Sequence, residues 1–167
     1  MQSSNNLTFL TQYKTWADNI FYEAISQLPD KELTRERPML FGNILSLLNH
    51  VYAMDKVWKS HLAGAPHNLQ TRNPECLSSF ATLRTDQVSI NQWYQHYTDT
   101  LGLNKHSEIV NFTCIGAGEG QMRRFEIIQH VVNHASYHRG HIEGVLYQMS
   151  VEPPTTDIPV FLSQINR

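Results

Sequence analysis

The sequence predicts a mainly α protein, a four-helix bundle with a small β-hairpin or extended insertion before the last long helix. Three observations carry this reading. Four long stretches repeat apolar side chains at helical spacing. The period changes once, around the run Gly116-Ala117-Gly118-Glu119-Gly120. No internal repeat, low-complexity tract or shift in composition divides the 167 residues, so residues 1–167 form one domain.

The first helix is predicted over residues 5–28, where Leu10, Tyr13, Ile20, Phe21, Ala24, Ile25 and Leu28 keep a helical period and Asn5 or Asn6 offers a cap. Pro29-Asp30 stops it, and the polar stretch punctuated by Pro29, Pro38 and Gly42 reads as a connection. The second helix covers residues 43–62, with Leu47, Val51, Met54, Val57 and Trp58 as its inward face. A loop rich in proline and turn residues follows. The third helix spans residues 83–101, with Ile90, Trp93, Tyr94 and Tyr97 as core candidates. Ile109, Val110, Phe112 and Ile115 then flank the glycine-rich turn, which lacks the Lys-Ser/Thr ending of a phosphate-binding loop. The last long helix covers residues 125–149, and Pro153, Pro154 and Pro159 break the tail, with Asp157 available to cap a short final turn.

Composition excludes several classes of function. Lys plus Arg is 13 against 15 for Asp plus Glu, a net charge of −2, so the chain lacks the dense basic face that phosphate neutralisation demands. Cys76 and Cys114 match no metal-binding or disulfide spacing and read as two reduced thiols. The first residues do not read as a secretory signal, and no stretch reaches the roughly 18 apolar residues of a membrane span. These features together lead one to expect a cytoplasmic protein that acts on a small molecule and engages neither nucleic acid nor membrane.

What remains is an excess of histidine, nine residues against two cysteines. His130, His134, His138 and His141 share one stripe of the last helix. Histidines at i and i+4 lie close enough to share a metal ion, whereas His130 and His138 sit about 12 Å apart along the axis. One ion therefore takes 130/134, 134/138 or 138/141, and spacing alone leaves all three pairs open. His50, on the stripe of Leu47, Met54 and Val57, is the candidate for a third ligand from a facing helix. The competing reading is a solvated or pH-responsive histidine face. His61, His67, His96 and His106 have no helical partner histidine and read as structural or exposed.

The chain resembles the DinB family, the DinB/YfiT-like metalloenzymes. The resemblance rests on Trp16-Ala17 in the first helix, Leu48-Asn49-His50 in the second, and Asn133-His134-Ala135-Ser136-Tyr137-His138-Arg139-Gly140 in the last. These occur in order over nearly the whole chain, with the glycine-rich turn and proline-rich tail between and after them. The resemblance implies a bundle holding a divalent ion, nickel or zinc first, with His50, His134 and His138 as ligands. His130 then becomes a neighbour of the site. Two departures stand out: His141 replaces the usual Gln and Tyr137 replaces a frequent His, so His141 is an alternative ligand. The resemblance also implies a homodimer. The family name refers to induction by DNA damage, a stress response in expression rather than DNA binding.

Three neutral imidazoles with an open coordination position suit a catalytic site better than a structural one and accept Zn, Ni, Fe, Co or Mn. Tyr137 and His141 are candidate proton donors or acceptors beside the metal. Arg139 is either an anion clamp or an interhelical salt bridge. Asp55 is expected to face solvent or a neighbouring helix, about 140° round from His50. Because relatives in the broader superfamily use low-molecular-weight thiols, the sharpest expectation is a thiol-dependent S-transferase acting on small electrophiles. The alternatives are a metal-dependent hydrolase and a non-catalytic metal-binding stress-response protein.

Overall fold

The computed structural model describes residues 6–76 and 78–165. Its elements follow the order α1 (Asn6–Ile25), α2 (Asp30–Thr34), α3 (Ile44–Ala63), α4 (Phe80–Thr100), a 3-10 turn (Leu103–Lys105), β1 (Ile109–Cys114), β2 (Gly118–Arg123), α5 (Arg124–Gln148) and α6 (Ile158–Ile165). The candidate cap Asn5 lies outside the described residues.

Local chemistry explains where the boundaries differ from the sequence reading. α1 ends at Ile25 rather than Leu28, because the amides of Gln27 and Leu28 turn back onto the carbonyls of Ala24 and Ile25. The supposed connection after it contains α2, a single turn with Asp30 and Glu32 at its positive end and Leu33 buried beneath it. Before α3 the chain reverses through two left-handed residues, Phe41 (φ 63°) and Gly42 (φ 79°). Asn43 then caps α3 by accepting the Ser46 amide at 2.8 Å. α4 begins at Phe80 rather than at residue 83 because the Ser79 hydroxyl accepts the Thr82 amide at 3.1 Å. The hairpin forms as predicted, in antiparallel register Val110↔Met122 and Phe112↔Gly120. The short final turn is longer than expected, an eight-residue helix.

The four long helices form the bundle: α1 packs on α4 and α5, and α3 packs on the same two. The hairpin lies against α3 through β1 and against α5 through β2. α6 closes on α1, where the Phe161 ring meets Phe9, Tyr13 and Trp16 with centroids 5.3 to 5.9 Å apart. No helix among the described residues is long and apolar enough to cross a membrane.

The core has two apolar ends and a polar middle. One end gathers Phe21, Ile25, Ile44, Leu47, Leu83, Ile142 and Leu146; the other gathers Leu7, Leu62, Ile90, Tyr94, Ile127 and Val131. Each such side chain contributes about 1.5–3 kcal/mol by leaving water. Between them every long helix sends polar groups inward: Lys14 and Asp18 from α1, Asp55 from α3, Gln87 and Asn91 from α4, and Arg139 from α5, all buried. Lys14 Nζ donates to Asp18 and Asp55 at 2.8 Å each and to Asn91 at 2.7 Å. Gln87 donates to Asp55 at 2.8 Å and Asn91 to Asp18 at 2.9 Å. Burial works against the Lys14 ammonium, but the two carboxylates outweigh it and raise its pKa. Burial likewise opposes ionisation of Asp18, yet Lys14 and Arg139 prevail and its pKa is lowered. Asp55 is thus neither solvent-facing nor metal-facing: it is 1% exposed, and its carboxylate is one corner of this layer.

Candidate metal centre

At the level of the polar layer, α3 and α5 bring three histidines together. His50 and His138 are buried and His134 is half-buried. The Nε2 atoms of His50 and His134 are 3.2 Å apart, and those of His134 and His138 are 3.0 Å apart. These three residues could hold one metal ion, with ligand atoms all within 4.8 Å of one another. Among the three pairs left open by spacing, the geometry therefore gathers 134/138 with His50.

The donor chemistry fits a cation. Ligand nitrogens bound at about 2.0–2.1 Å lie about 3.3 Å apart in a tetrahedron and about 2.9 Å apart at a right angle. His50 Nδ1 meets the Arg72 carbonyl at 2.7 Å, which places the proton on Nδ1 and leaves the Nε2 lone pair facing His134. The shared nitrogen of His134 carries one proton or one lone pair, so it cannot pair with both neighbours at once. A single cation at their meeting point satisfies all three lone pairs. Protonation is no substitute. Burial, followed by the neighbouring imidazoles, pushes His134 down to about 3 and His138 down to about 4. Burial also lowers His50. All three are neutral at pH 7, the form in which imidazole could bind a metal.

Packing holds the rings. The Phe41 ring lies 4.4 Å from His50 and 6.4 Å from His138, carried there by its left-handed backbone. Neither this contact nor the Arg72 carbonyl was foreseen. Both arise in loops, where no periodicity marks a residue as close to the site. The one sequence cue to Phe41 is its neighbour Gly42, which favours a left-handed turn.

On one side the cluster borders a cavity of about 270 Å³, whose wall includes His50 and His134 with Trp58, Phe112, Ile115 and Arg72. His130 belongs to this wall, its ring 4.9 Å from Trp58 and 5.7 Å from His134, and burial lowers its pKa. It is a neighbour of the triad rather than part of it. His61, expected to be incidental, also lines the cavity and stacks edge-on with His67 at 5.3 Å. Its place near the end of α3, opposite the hairpin, was not legible from helical partners.

The remaining expectations divide. His141 sits one turn beyond the cluster, its ring 5.6 Å from His138, and does not join the three converging nitrogens. Tyr137 is 60% exposed and packs on His138 and His141 at 5.0 and 4.4 Å, outside the cavity wall. Arg139 makes the interhelical salt bridge that was one of its two readings: it is buried, and its Nη1 donates to Asp18 of α1 at 2.7 Å. On a helix it points away from His138, toward α1.

Comparison with known proteins agrees with this architecture. The chain is 26% identical over 166 residues to Protein DinB of Bacillus subtilis (strain 168), covering 92% of this chain and 91% of that protein. The sequence model of the DinB family matches residues 1–167. With the match extending over the whole bundle and both histidine-bearing helices, the chain belongs to the DinB family.

Proposed function

We propose that this protein is a divalent-metal-dependent enzyme, with nickel or zinc held by His50, His134 and His138, that transfers a low-molecular-weight thiol to a small electrophile. The observation that supports the reading is the meeting of three neutral imidazole nitrogens at the edge of a largely apolar cavity. A closed structural site would offer four protein ligands, whereas three leave a position open. A divalent ion in such a site lowers the pKa of a thiol or water and polarises an electrophile.

The chain's own residues supply the rest. The Arg72 carbonyl fixes the His50 tautomer so that Nε2 faces the cluster. Phe41 keeps the His50 ring from rotating out of that geometry. Trp58, Phe112 and Ile115 exclude water from one face of the cavity and offer apolar surface to an alkyl chain or unsaturated electrophile. His130, in the same wall and kept neutral by burial, is placed to take the proton of the thiol as its sulfur bonds to one carbon of an activated C=C and the π bond opens, the neighbouring carbon then taking the proton back. With a halide electrophile the electron pair leaves with the halide instead. The volume admits a small molecule and no polymer.

The test is a reporter assay with zinc- or nickel-reconstituted protein, several low-molecular-weight thiols and a bimane electrophile that fluoresces when sulfur adds. Turnover with at least one thiol is expected, abolished by chelation and by His134→Ala. Ester hydrolysis that needs no thiol would transfer the same site to metal-assisted hydrolysis. An inert protein with a saturated metal would make it a binding protein without turnover.

A further inference from the structure

The charge around the cavity identifies a class of ligand. Three neutral imidazoles bring no negative charge to the proposed centre, so a divalent ion there adds two uncompensated positive charges. The nearby polar layer offers no correction, because Asp18 and Asp55 are already matched by Lys14 and Arg139. Among the described residues no Asp or Glu lines the cavity, and Arg72, an exposed residue at its edge, is the one Arg or Lys in its wall. Arg72 is fixed at two points. Its carbonyl meets His50 Nδ1 at 2.7 Å, and its Nε donates to the Ile115 carbonyl of the hairpin loop at 2.8 Å. With Nε so engaged, the two terminal nitrogens of the fork stay available to a ligand. The cavity thus joins an apolar body of Trp58, Phe112 and Ile115 to a cationic mouth.

We propose that the substrate is a small carboxylate with an apolar or unsaturated body, whose carboxylate pairs with the Arg72 guanidinium while its reactive carbon reaches the histidine cluster. This rests on the metal-dependent reading for the reacting end, but the Arg72 contact is independent of the ion. Guanidinium and carboxylate match as a planar fork, so the contact orients the molecule as well as holding it. The anion also supplies charge that the site lacks.

The experiment uses trans-cinnamate and its uncharged isostere cinnamamide, titrated into the zinc-loaded and metal-free full chain by calorimetry, with Arg72→Gln and Arg72→Lys alongside wild type. Wild type should bind cinnamate at least tenfold more tightly than cinnamamide, about the discrimination a charge-assisted pair supplies. Arg72→Gln should shrink the ratio to within about threefold and Arg72→Lys should fall between, since an ammonium keeps the charge but loses the fork. Zinc content should match wild type in both variants, because the backbone carbonyl, not the side chain, orients His50, while the thermal midpoint should fall by no more than a few degrees for the lost Nε bond to Ile115. A ratio unchanged in Arg72→Gln, a wild-type ratio near one, or no binding of cinnamate by either form overturns the proposal. The metal-free titration separates the two ideas. If the chain takes up no zinc, the metal-dependent reading fails, while an Arg72-dependent preference for cinnamate in metal-free protein still upholds the anion site.

Discussion

His134 is the residue on which the site turns, since its Nε2 lies within 3.2 Å of the Nε2 atoms of both His50 and His138. The same crowding gives the metal-free protein a pH signature. Burial, then neighbouring positive charge, lowers His134 to about 3 and His138 to about 4, from 6.5. In the unfolded chain both titrate near 6.5, so between that pH and about 4 the unfolded state binds protons that the native state refuses. Stability is therefore full above pH 6.5 and falls as pH drops through this window. Chemical denaturation of metal-free protein at pH 7 and pH 5 should show a loss of about 1–2 kcal/mol for each histidine. A His134→Ala/His138→Ala double variant should lose less over the same interval. The spacing marked His134 and His138 as candidates because a helix puts such residues on one face, but it left 130/134 and 138/141 equally open, and the family resemblance chose the pair. For Arg139 the sequence left an anion clamp and an interhelical salt bridge open, and the structure shows the salt bridge: adjacent residues on a helix point about 100° apart, which turns Arg139 away from His138 and toward Asp18 of α1.

At the scale of elements, the polar layer ties all four long helices at one height and so fixes how α3 is set against α5. Removing the Asp18 charge leaves Arg139 buried without a carboxylate and Lys14 with Asp55 alone, and breaking a buried pair in this way costs about 3–5 kcal/mol. Asp18→Asn should reduce stability by that order in urea denaturation, since both Lys14 and Arg139 lose their shared carboxylate. A change within about 1 kcal/mol would show that the layer does not carry the load assigned to it. The hairpin offers a second test. A Cβ at Gly120 would lie 2.7 Å from the ring of Phe112, which lines the cavity and packs on Trp58. Gly120→Ala should therefore displace that ring, cost about 1–3 kcal/mol and weaken cinnamate binding with zinc content unchanged. The sequence concealed the layer because Lys14, Asp18, Gln87 and Asn91 are residues that a hydrophobic period assigns to the surface. It concealed α2 because five residues framed by Pro29 and Pro38 are too few to show a period.

For the whole molecule, the bundle acts as a frame that holds ligands from two helices while loops and hairpin shape the space beside them. The four helices were legible since each buries a continuous stripe. The cavity was not, because Arg72, Phe112 and Ile115 reach it through loop and hairpin geometry that only the folded chain sets. His50 stood as a single histidine on an apolar stripe, a pattern equally suited to a hydrogen-bonded core residue. Its role became visible through resemblance first and geometry second. On the proposed function, His50, His134 and His138 together hold one divalent ion. The most direct test of this is the zinc and nickel content of purified protein after reconstitution and desalting, for wild type, His50→Ala, His134→Ala, His138→Ala and the distant control His96→Ala. One ion per chain is expected in wild type and in His96→Ala, falling to about a tenth or less in each of the other three. Unchanged metal content in His134→Ala and His138→Ala would contradict it.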